Sequence, residues 1–166
     1  YIDFDLFKST KLNQKKILQK LNEFSNKCIV TRNVEEQLNV VVNDVKLTFF
    51  EFPFPIETAD NFENYAKIPN LLTLAAMKAY ALGRRSKWKD YVDLYFIIKK
   101  HYSIEEISTK AVQIFGDLFS EKLFRAQLCY YNDIEYTEKV DFIQGFETEQ
   151  NLVKTFLTTT SLKFDE

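Results

Sequence analysis

The chain has 166 residues, 46% hydrophobic and 28% charged, a globular composition for one domain of about 150 residues or a domain with a helical annex. Lys and Arg number 22 against 24 Asp and Glu, so the net charge of −2 argues against coating nucleic acid by bulk charge, and no apolar run approaches the roughly 20 residues of a membrane helix. Three Gly and three Pro disfavour collagen, Gly-rich linkers and a glycine-lined phosphate loop within this chain. Cys28 and Cys129 match no metal or redox spacing and read as two buried thiols in a reducing cytosol. The first residue is Tyr1 and the only Met is Met77, so the reading expects a piece of a longer protein whose upstream part is missing.

In chain order, residues 1–7 (YIDFDLF) read as a strand, with Asp3 and Asp5 alternating onto one face. Residues 11–24 place Leu12, Ile17, Leu18, Leu21 and Phe24 near helical spacing between lysines, an amphipathic helix. Residues 28–32, 37–42 and 45–52 are β-branched or aromatic runs, and Asn43-Asp44 between the last two suggests a hairpin turn without the favoured Gly. Pro53 and Pro55 are expected to end the sheet region, since neither donates to a ladder. Asn70 fits an N-cap for a helix over 71–82, which Gly83 interrupts. Residues 87–100 carry Trp88, Tyr91, Val92, Tyr95 and Phe96 as a buried helical stripe. Ser103 and Glu106 form a capping box for a helix to about residue 115, Ser120 opens another toward 130, residues 133–140 are ambiguous, and 148–157 suggest a last helix. The predicted fold class is α+β, a small mixed sheet followed by a helical bundle.

Two groups of residues have the make-up for chemistry. Asp3 and Asp5, two apart on a strand, share a face with Cα atoms about 6.6 Å apart, within reach of one Mg²⁺ or a metal pair; the competing reading is a solvated strand end. Lys78 interrupts an otherwise apolar helix, and a half-buried ammonium demands an anionic partner. Arg84, Arg85, Lys87 and Lys89 follow around Gly83, where the amides of a new helix start are a phosphate locus; Asp90 and Asp93 lie i, i+3 on that helix. From local pattern alone a purely structural account is the preferred one: Lys89 and Asp93 as an i, i+4 pair, with Lys78 reaching water along its stem. His101, the only histidine, ends a predicted helix and reads as a cap rather than a catalyst.

The string Lys78-x-x-Ala81-x-x-x-Arg85-x-x-x-Lys89-Asp90-x-x-Asp93-Leu94 resembles the Lys-x-x-Ala…Arg…Arg/Lys-Asp…Asp-Leu motif of the AbiEii/AbiGii-type nucleotidyltransferase toxins, relatives of the polymerase-β-like nucleotidyltransferases. Residues 45–53 look like the strand ahead of that motif, and residues 1–7 are similar to the Asp-hydrophobic-Asp end of the family's first motif, which a Gly-Ser pair precedes. The match in order and spacing covers about residues 1–96. The resemblance implies a nucleotidyltransferase-like core over residues 1–100, truncated at its start, with a helical part over 101–166 packed on it. It implies Asp3 and Asp5 as ligands of Mg²⁺, a two-metal site included. Lys78 would meet the phosphates of an NTP, Arg85 and Lys89 would support that charge, and Asp90 would assist catalysis. It further implies a cytoplasmic toxin of a toxin–antitoxin or phage-defence pair, with RNA as acceptor, a cognate antitoxin as partner and no membrane. Two departures stand against this. The Gly-Ser loop is absent, so the chain as given is expected to fold but not to turn over. Thr48 occupies the place of the third carboxylate, and the nearest acid, Glu51, has the opposite strand parity and needs a bulge to substitute. A non-catalytic descendant that binds a nucleotide or a partner is the rival reading.

Overall fold

The computed structural model describes residues 2–63 and 66–163 and is α+β. The chain divides into two compact units, Tyr1–Pro55 and Ile56–Glu166, so the division falls ahead of the first long apolar helix.

The first unit is a four-stranded mixed sheet of order β1-β4-β3-β2, with β1 (Ile2–Lys8), β2 (Cys28–Val34), β3 (Gln37–Val42) and β4 (Val45–Glu51). β1 runs parallel to β4, and the remaining pairs are antiparallel. The β3–β4 hairpin forms as expected, and both turn residues take positive φ, 49° at Asn43 and 64° at Asp44. That is the backbone sign of the turn whose twist suits a two-residue hairpin. α1 (Gln14–Phe24) is capped by Asn13, whose Oδ1 accepts from the Lys16 amide at 3.0 Å. Its Ile17, Leu18 and Leu21 pack on Leu38, Val40 and Val42, with Leu47 and Phe49 alongside, yet no residue of α1 is fully buried. This small core occupies one face of the sheet.

Pro53 and Pro55 close the first unit and follow the end of its sheet, but strand structure resumes in the second unit. β5 (Thr58–Phe62) and β6 (Ala66–Pro69) pair antiparallel as a separate two-stranded ribbon. Residues 58–69 mix polar and apolar side chains with no β-branched run, so the sequence carried no strand signal there. α2 (Leu71–Leu82) starts where the Asn70 side chain accepts from the Thr73 amide at 2.8 Å. α3 (Trp88–Lys100) buries Trp88, Tyr91, Val92 and Tyr95 of the expected stripe. α4 (Ile104–Phe115) opens on the complete Ser103–Glu106 capping box, and a 3₁₀ turn leads to α5 (Glu121–Leu128) and then α6 (Gln150–Ser161). Tyr91, Leu94, Tyr95, Ile107, Leu128, Val153 and Leu157 form the centre of one large core. His101 closes α3, its amide donating to the Ile97 carbonyl at 2.9 Å. Cys28 and Cys129 are free thiols, half-buried rather than buried. Among the described residues no helix is long and apolar enough to cross a membrane.

Candidate functional site

The helix break at Gly83 turns the chain so that residues from α2, the connecting loop and α3 meet. Lys78 lies on the otherwise apolar α2, and its ammonium stands 2.5 Å from Asp93 Oδ2 and 3.3 Å from Asp90 Oδ1. Arg85, in the loop, donates from Nε to Asp90 Oδ2 at 3.0 Å and from Nη2 to Asp90 Oδ1 at 3.5 Å. The Asp90 side chain is only 4% exposed, whereas that of Asp93 is 47% exposed. Burial pulls the Lys78 ammonium toward neutrality, but the Asp93 and Asp90 carboxylates outweigh it, and its pKa ends above the ordinary lysine value. Lys78 is therefore a fixed cation, not a proton acceptor. The demand for an anionic partner read from the sequence is met twice over.

The other cations do not join this group. Lys89 lies 3.6 Å from Glu138, which also holds Lys87, so the expected Lys89–Asp93 pair is replaced: Asp93 serves Lys78. Arg84 stacks on the Tyr80 ring at 3.5 Å and donates to the Tyr80 carbonyl at 3.2 Å. The expected phosphate locus at the start of α3 is also taken up. The Trp88 amide donates to the Glu135 carbonyl at 3.1 Å, and the Glu135 amide returns a bond to Ser86 at 2.8 Å. Thus residues 133–140, ambiguous in the sequence, supply through Glu135 the cap that Lys87, at the N-cap, does not.

Within the first unit, strand parity places Asp3 and Asp5 together on the face opposite α1. Register sets Asp3 beside Lys46 and Asp5 beside Thr48, with Val41 and Asn39 next along on β3. Phe7 stacks on Phe50 at 5.4 Å in the row beyond, which confirms the facing. The Lys46 ammonium pairs with Asp3 Oδ2 at 3.1 Å, while Thr48 is 2% exposed. Glu51 does not stand in for a third carboxylate. β4 runs without a bulge against either neighbour, and Glu51 Oε1 accepts from the Leu12 amide at 2.7 Å ahead of α1. Among the described residues no group of three or more His, Cys, Asp or Glu side chains is disposed to hold a metal. Asp3 and Asp5 are exposed, and they are the residues that would hold a Mg²⁺, a hard cation that takes one or two carboxylates and keeps water. Lys46 and Glu138 escaped the sequence reading because each meets its partner only through register or a long loop; Asp93 was visible from its i, i+3 spacing with Asp90.

No family model matches the chain. A relative from Aquifex aeolicus (strain VF5), "Uncharacterized protein aq_aa25", is 25% identical over 123 residues, 64% of this chain; the chain matches 57% of that protein's length. Two solved structures from Helicobacter pylori resemble it over 97% of its length: JHP933, at 12% identity, TM-score 0.49 and 74% of that chain, and a "putative nucleotidyltransferase", at 14% identity, TM-score 0.47 and 76% of that chain.

Proposed function

We propose that this chain carries the core of a nucleotidyltransferase that moves a nucleotidyl group from an NTP to an acceptor, with RNA the acceptor class that the motif resemblance suggests. The observation that carries this reading is the convergence of Lys78 and Arg85, from either side of the helix break, on one buried carboxylate, Asp90. Phosphoryl chemistry asks the protein chiefly for placed positive charge, and such a pair supplies it to a polyphosphate. By the motif resemblance Asp3 and Asp5 would hold Mg²⁺, a cation that when bound supplies positive charge to phosphate chemistry. Lys78 and Arg85 would bind and orient the phosphates of the NTP, with Asp90 paired to both. By the same resemblance the biological role is the toxin of a toxin–antitoxin or phage-defence pair, acting in the cytoplasm and neutralised by a cognate antitoxin.

The test is the full-length protein incubated with Mg²⁺, each labelled NTP and total RNA. Label transfer is expected, and Asp3→Asn, Asp5→Asn and Lys78→Met should each abolish it while leaving the melting temperature within a few degrees. Absence of Mg²⁺-dependent transfer from all four NTPs sinks the reading. One observation favours the non-catalytic alternative: an ammonium, Lys46, already neutralises Asp3, and a hydroxyl, Thr48, stands beside Asp5. That alternative predicts NTP or partner binding with no transfer, and no dependence of binding on Mg²⁺.

A further inference from the structure

The Lys78 group is electrically balanced as it stands, two cations against Asp90 and Asp93, and a balanced site has little pull on an anion. Its two carboxylates are not equivalent. Asp90 is buried and engages both cations through both oxygens, so removing it from them would strand a charge inside the protein. Asp93 is half exposed, and among the described residues its ion pair is with Lys78, at 2.5 Å. An exposed ion pair is held weakly, so Asp93 is the partner that an incoming anion displaces. We propose that Asp93 is a place-holding counter-anion, which a substrate polyphosphate displaces from Lys78, and that Asp90 is the fixed positioning residue holding Lys78 and Arg85 convergent. This assignment rests on the nucleotidyltransferase reading for its ligand class. It departs from the expectation that Asp90 itself assists the chemistry, because a carboxylate already shared between an ammonium and a guanidinium is ill placed to accept a substrate proton.

The two roles predict opposite signs. Inorganic tripolyphosphate, titrated calorimetrically into the full-length protein, should bind Asp93→Asn about fivefold to tenfold tighter than wild type, since a competing charge is gone. Asp90→Asn should bind it about tenfold more weakly, with the cations no longer held together. Melting temperatures taken alongside separate misfolding from misplacement, and Asp90→Glu should recover part of the lost affinity. Unchanged or weaker binding by Asp93→Asn overturns the proposal, as does a shift of the same sign in both Asn variants, or no binding by wild type at millimolar tripolyphosphate. Label transfer from NTP is scored separately. Opposite affinity shifts without transfer leave the clamp standing and sink the enzyme, whereas transfer with an indifferent Asp93→Asn does the reverse.

Discussion

Arg125 is the side chain on which the end of the helical unit depends. It is 5% exposed and pairs with Glu121 at 2.8 Å and with Glu105, while Nη1 donates to the carbonyls of Ser161 at 3.3 Å and Lys163 at 3.0 Å. It thereby ties α4 and α5 to the C-terminal end of α6. Arg125→Met should cost about 2–4 kcal/mol, because two carbonyl acceptors lose their donor along with the ion pairs, and urea denaturation reads this directly. Glu105 adds a pH dependence. Burial raises its pKa, but bonds from its own amide and Ser103, with Arg125 beside it, more than reverse this and leave the pKa lowered from about 4.5. A carboxylate whose folded pKa is depressed contributes stability above its unfolded value and loses it as the pH falls through the folded one. The melting-temperature gap between wild type and Glu105→Gln should therefore be constant above about pH 5.5 and close below about pH 4.5. A gap that widens as the pH falls counts against the assignment.

Among the elements, the β3–β4 hairpin is built on a compromise. Asp44 holds φ at 64°, a region that L side chains enter at a cost and glycine does not. Asp44→Gly should raise stability by about 0.5–1 kcal/mol in a denaturant titration, and a loss would mean that the Asp44 side chain contributes to the turn in another way. The reciprocal case is the start of α4, where the Ser103 hydroxyl accepts from the Glu106 amide and the Glu106 carboxylate from the Ser103 amide. Ser103→Ala removes one half of that exchange and should cost about 1 kcal/mol. α3 shows a third route to a helix start, since no side chain caps it and a carbonyl from a distant loop does so instead.

At the scale of the molecule, the two units differ in how much apolar surface they hide. The sheet unit rests on Leu38, Val40 and Val42, under a helix with no fully buried residue. The helical unit buries two whole tyrosines, Tyr91 and Tyr95, among aliphatic side chains. Local stability follows buried contact, so native-state hydrogen exchange should find the Tyr91 to Tyr95 amides of α3 protected at least about tenfold more than the Ile17 to Leu21 amides of α1. Equal protection would show that the sheet unit draws stability from elsewhere. Leu157→Ala, at a fully buried position of the larger core, should cost about 2–5 kcal/mol.

The local features were legible in the order of the residues. β-branched and aromatic runs marked β1 to β4, Asn70 and Ser103 marked helix starts, the stripe from Trp88 marked the buried face of α3, and alternation put Asp3 and Asp5 on one face. Each of these is decided by a backbone period or a bond spanning a few residues, so each is written within one segment. Tertiary structure alone decided the β5–β6 ribbon, the Glu135 cap on α3, and the partners of the charges. Lys78 needed an anion on any reading, but whether Asp93 would serve it or Lys89 depended on how α2 and α3 fold back across the Gly83 break. Lys46 meets Asp3 only because β1 and β4 pair in parallel at one register, and a slip of one residue would have set Asp3 beside Val45 or Leu47 instead. Charge is long-ranged and indifferent to chain order, so its pairing is settled by packing rather than by spacing.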